Sequence, residues 1–124
     1  MRYPTLLLGG TYSRMLSHDE LRASISGLVR AVGMTPVDEP VVTCINHRWG
    51  PSVFQALEES HAIFHYFAPP HWFFDLFTCQ EVSDGELGRW IGKVERELAE
   101  RFSATVTERQ VVWRTIARGA TVGT

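Results

Sequence analysis

The chain has 124 residues, of which 44% are hydrophobic, 11% aromatic and 21% charged, the makeup of one ordinary globular domain with a single core. Its formal net charge of -2 supplies no basic field for nucleic acid or anionic lipid. The longest apolar run, at Leu6-Leu7-Leu8, is far too short to cross a bilayer, and the first residues lack the pattern of a signal peptide.

Thr5 to Leu8 reads as a first short strand that ends at Gly9-Gly10. Ser17-His18-Asp19-Glu20 is a capping box, in which Ser17 accepts a backbone N–H and Glu20 reaches back. Leu21, Ile25, Leu28, Val29 and Val32 then recur at helical spacing up to a natural stop at Gly33. Pro36 and Pro40 bracket a turn, and Val41 to Trp49 is rich in strand formers. After the turn signal Gly50-Pro51 come strand candidates Val53 to Leu57, Ala62 to Phe67 and Trp72 to Thr78. Ser83-Asp84-Gly85-Glu86 opens a second helix with Leu87, Trp90, Ile91, Val94, Leu98 and Phe102 on one face. Thr105 to Trp113 alternates as a final strand, and the tail after it is expected to fray.

That order predicts a single α+β domain over residues 1–124, a two-layer sandwich with an antiparallel sheet and two helices on one face. The uncovered sheet face needs a partner, so a homodimer is expected. Cys44 and Cys79 stand too far apart for a zinc knuckle or a disulfide scaffold, which makes two reduced thiols and a cytoplasmic setting the expectation.

The chemistry concentrates in Glu59-Ser60-His61, His65 and Asp75-Leu76-Phe77-Thr78-Cys79. His47, His61, His65, His71 and the two thiols are metal-ligand types. On a strand, though, His61 and His65 stand roughly 13 Å apart, too far for one ion, so no metal is expected. Cys79 with a histidine is a conceivable cysteine nucleophile, against the plainer reading of a buried thiol that ends an aromatic strand. Ser60 has no Gly-x-Ser-x-Gly elbow around it, which argues against a serine hydrolase. A serine in a strained turn has another option. It can attack the preceding carbonyl, turn the peptide bond into an ester and, by β-elimination and hydrolysis, leave a pyruvoyl group.

Those residues, with His47-Arg48-Trp49 ahead of them and the order of helices and strands, resemble the short bacterial and archaeal S-adenosylmethionine decarboxylases, which are pyruvoyl enzymes. The resemblance covers nearly the whole chain. It implies cleavage of the Glu59–Ser60 bond, with residues 1–59 as β chain and 60–124 as α chain. Ser60 becomes the covalent pyruvoyl cofactor, Ser52 assists processing, His65 promotes the elimination and Cys79 donates the proton after decarboxylation. Trp49 falls where the family stacks an aromatic ring on adenine. The pyruvoyl carbonyl takes the substrate amine as a Schiff base and withdraws electrons from the bond to the carboxylate.

The chain departs from the family in a shorter loop between His47-Arg48-Trp49 and Ser52. It departs again at the end of the first strand, where Leu8-Gly9-Gly10-Thr11-Tyr12 stands in place of the family's usual acidic residue and aromatics, and in the loop after the second histidine. The family's Thr-Trp-Pro-Glu-Tyr-Gly is replaced by Tyr66-Phe67-Ala68-Pro69-Pro70-His71, so Pro69 stands where a glutamate binds the ribose hydroxyls. Two substrate classes therefore follow: S-adenosylmethionine, feeding polyamine synthesis, or a free basic amino acid, arginine or ornithine. Glu58, Asp75 and Glu81 are candidate partners for a basic side chain. A third reading is a non-processing paralogue that serves as a partner subunit.

Overall fold

The computed structural model describes residues 2–44 and 50–115. The elements run β1 (Arg2–Tyr12), α1 (His18–Ala31), β2 (Val41–Thr43), β3 (Ser52–Leu57), β4 (Ser60–Phe67), β5 (His71–Phe77), α2 (Asp84–Phe102) and β6 (Ala104–Thr115). The strands form one six-stranded sheet in the order β2-β3-β4-β5-β1-β6, with every pairing antiparallel. The α+β sandwich read from the sequence is the observed architecture. The part of the second predicted strand over residues 45–49, and the tail from residue 116, lie outside the described residues.

Both helices start where their polar signals put them. Ser17 Oγ accepts from the Glu20 N–H at 3.2 Å while Glu20 returns the bond to the Ser17 N–H at 3.0 Å. The Glu20 carboxyl is held down at about 2, first by its hydrogen bonds to Arg14 and then by the Ser17 backbone. Ser83 caps α2 through the Glu86 N–H. At the far end of α1, Gly33 takes the left-handed turn that a side chain disfavours (φ 85).

Gly9-Gly10 does not end β1. The strand runs on to Tyr12, and the register against β6 slips between the two glycines. A Cβ at Gly10 would lie 1.8 Å from the Thr105 carbonyl oxygen. The glycines thus mark a β-bulge where two backbones meet closely.

Alternation along each strand sorts the side chains into two layers. Leu6, Leu8, Val53, Phe64, Trp72, Phe74 and Leu76 face the helices and are buried with Leu21, Ile25, Leu28, Val94, Leu98 and Phe102. Phe64 stacks on Phe102 at 4.4 Å and on Trp72 at 5.6 Å, at the centre of this layer. The indole N–H of Trp72 donates to the Thr11 carbonyl at 2.8 Å, so the ring is buried with its polar atom satisfied. Phe64→Ala should cost about 3–5 kcal/mol, seen as a lower urea midpoint.

The other face has no helix over it. Phe54, Phe67, Phe73 and Val112 stand exposed there. Thr5, also on that face, is 7% exposed and its hydroxyl has no hydrogen-bond partner among the described residues. Thr5→Val keeps the shape and removes the hydroxyl. It should raise stability by up to about 1 kcal/mol, and a fall in the urea midpoint would contradict that.

Candidate active site

Ser60 opens β4. It pairs with Leu57 across a two-residue turn, Glu58-Glu59. Glu59 is left-handed at φ 60, a conformation that costs a non-glycine residue some strain. Strand β4 therefore begins two residues before the Ala62 start expected from the sequence, and the Glu59–Ser60 bond lies at the tip of a hairpin. The turn is tied from below, because the Glu58 N–H donates to the Thr35 carbonyl at 3.1 Å.

A neighbouring segment closes on the serine. The Cys79 N–H donates to Ser60 Oγ at 3.1 Å. The same segment is fixed by buried Thr78, whose hydroxyl accepts from the Gln80 N–H at 3.0 Å. Thr35, Glu58, Glu59, Ser60 and Cys79 line a cleft of about 210 Å³. Ser60 and Cys79, which the resemblance assigns to one site, are thus brought together.

His65 is elsewhere. It lies opposite Ser52, and its Nδ1 is 2.8 Å from Ser52 Oγ. Ser60 pairs with core residue Leu57, whereas His65 is on the uncovered face. Five residues along one strand is an odd number, so the two side chains point to opposite faces, and their Cα atoms stand roughly 16 Å apart. Burial pushes the His65 imidazole below its ordinary pKa, and the Asp75 carboxylate opposes that shift. The site read from the sequence therefore divides into two pairs, Ser60 with Cys79 and Ser52 with His65.

The altered loop lies at the His65 end of β4. Pro69-Pro70 is the turn into β5, closed by the His71 N–H on the Ala68 carbonyl at 3.3 Å and by the Tyr12 N–H on the Pro70 carbonyl at 2.9 Å. Trp49, with His47 and Arg48, lies outside the described residues. His61 occupies the uncovered face between Phe54 and Phe77, stacked at 6.1 and 5.4 Å. Cys44 is exposed, and Cys79 is half-buried with a free thiol.

Thr35 and its anchor Gln55 escaped the sequence reading. Thr35 reaches the cleft from the segment after α1, which buried Gln55 holds against β3. The Gln55 Nε2 reaches the Val37 and Asp38 carbonyls, each at 3.2 Å, and Ser26 Oγ donates to Oε1 at 3.2 Å. No local pattern announces a long-range anchor of that kind. Asp75, by contrast, carried a signal: it is the one charge in the Phe73-Phe74-Asp75-Leu76-Phe77 run.

No curated protein matches the chain. The family model described as S-adenosylmethionine decarboxylase matches residues 7–115, which takes in both pairs and every strand that positions them. That family consists of pyruvoyl-dependent decarboxylases, and the chain belongs to it.

Proposed function

We propose that the chain is a self-processing decarboxylase of S-adenosylmethionine, active as a homodimer. The supporting observation is the Ser60 hydroxyl at a hairpin tip, held by the Cys79 N–H beside a left-handed Glu59. Ser60 Oγ adds to the Glu59 carbonyl, and the acyl group moves from nitrogen to oxygen. Loss of the Ser60 Cα proton then expels the Glu59 carboxylate. The dehydroalanine left behind takes up water and releases ammonia, which makes residue 60 a pyruvoyl group.

The residues around Ser60 fit such a group, since the Cys79 N–H already serves an oxygen on that side chain. When bound, it supplies a carbonyl that takes the substrate amine and draws electrons from the bond to the carboxylate. Cys79, in the same cleft, holds the proton that replaces carbon dioxide. Cys79→Ala should process as the parent does yet lose most turnover, about 100-fold or more in kcat. Unchanged carbon dioxide release would remove that role.

The division of the site favours a dimer. Within one chain His65 and Ser60 face away from each other, and the apolar face that bears His65 is uncovered. A second copy whose His65 face met the Ser60 end of the first would offer its own His65 and Ser52 to that chain's Ser60 and Cys79. The product, decarboxylated S-adenosylmethionine, is an aminopropyl donor for polyamine synthesis, a cytoplasmic process.

A second substrate reading has its own observation. Glu58 lines the Ser60 cleft, where its carboxylate can pair with a basic side chain, while Pro69 replaces the family's ribose-binding acid. Carbon dioxide release from S-adenosylmethionine, arginine and ornithine, measured side by side, separates the two. Turnover of an amino acid alone would overturn the first reading.

A further inference from the structure

The register sets Ser52 against His65 and Ile63 against Asp75. Asp75 and His65 thus share the uncovered face on adjacent strands, one diagonal step apart, at a spacing of roughly 7–8 Å. Asp75 is half-buried and has no ion-pair partner among the described residues. Ser52 holds His65 from β3, and Asp75 stands on the opposite side of the ring, on β5.

We propose that Asp75 is a positioning residue for His65: its carboxylate stabilises the imidazolium and, with Ser52, orients the ring for proton transfer from the Cα of residue 60 of a second copy. This rests on the self-processing reading. In that step His65 gains a proton and a positive charge in a half-buried place. A fixed negative charge one strand away lowers the cost of that charge without having to reorganise. For His65 to take the proton on Nε2, its Nδ1–H donates to Ser52 Oγ, which keeps the other nitrogen free.

Other charged groups near His65 are fewer or farther. On β5, His71 takes the opposite diagonal, is exposed, and adds like charge only when protonated. On β4 itself His61 is four residues away, between two phenylalanines. Strand β1 offers Leu7 and Gly9 at this level. On β6, Glu108 ends the row His65–Phe73–Gly9–Glu108, three strand spacings or roughly 14 Å away. That exceeds the screening length of about 8 Å at physiological salt. The described part of β2 carries Val41, Val42 and Thr43, none charged.

The test has two arms. In a Ser60→Ala background, which cannot process, the His65 ring is titrated by NMR with and without Asp75→Asn. Asp75 favours the protonated ring, so its loss leaves burial unopposed, and the midpoint should move toward acid. In the processing-competent chain, Asp75→Asn should slow self-cleavage about threefold to tenfold and move the rising limb of the rate against pH toward acid. Asp75→Glu should restore part of both. An unmoved titration midpoint overturns the proposal, and so does slower cleavage with an unmoved midpoint, since that is a packing effect. If the parent chain never cleaves, the proposed function falls, while the titration still decides the Asp75–His65 pairing.

Discussion

Ser60→Ala is expected to stay a single chain and to release no carbon dioxide from any substrate, whereas the parent splits into residues 1–59 and 60–124. The substitution removes one atom, the oxygen that attacks the Glu59 carbonyl. It leaves the fold in place. Alanine suits a strand end next to Leu57, and the lost hydrogen bond from the Cys79 N–H costs about 1 kcal/mol at this half-buried position. Loss of activity with an unchanged melting curve would therefore belong to the chemistry. Intact mass settles it: a parent chain still whole after long incubation, or a cut alanine variant, sinks the pyruvoyl reading.

The second large effect concerns where His65 acts. Ser60→Ala and His65→Ala chains, each expressed alone, should remain uncut or nearly so, since acid–base assistance is worth about 100-fold to 10,000-fold. Co-expressed with different tags, they should give cleavage of the His65→Ala chain, whose Ser60 is intact and whose partner supplies a histidine. The Ser60→Ala chain should stay whole. Five residues of strand put the two groups of one chain on opposite faces, so a site shared between copies predicts rescue in a mixed dimer. If the mixture cuts no better than the separate variants, or if light scattering finds a monomer, each chain serves itself and the two-copy site is wrong.

Much of this molecule was legible from its residues. Both helices were placed by Ser17 and Ser83 together with apolar spacing, because capping is local and its donors lie three residues away. The glycine pair misled because a bulge and a strand end call for the same residue. What separated Gly9-Gly10 from a stop was the approach of Thr105, almost a hundred residues later. The turn at Glu59-Ser60 is legible, but its bounds are not, for another reason. Glu58-Glu59 carries none of the usual turn residues, so the sequence places the start of β4 at Ala62 and leaves Ser60 outside it. Had it been counted in the strand, alternation alone would have set it opposite to His65. Asp75 needed the register between β4 and β5, which no single strand encodes.

The place of β1 in the sheet has a consequence for the history of each molecule. A cut at residue 59 leaves β1, α1, β2 and β3 on one piece and β4, β5, α2 and β6 on the other. In the order β2-β3-β4-β5-β1-β6, three of the five seams then join different pieces, and β1 is clasped on both edges by strands of the other. Neither piece owns a complete sheet, so the cut releases nothing. Once unfolded, however, a cut molecule must find its other half again. Its refolding becomes a second-order process that slows on dilution, while the uncut chain refolds at a rate independent of concentration. Cleavage at residue 59 would thus act as a ratchet: the chain folds once as a unimolecular event, and after the cut only the folded state preserves the pairing of its halves.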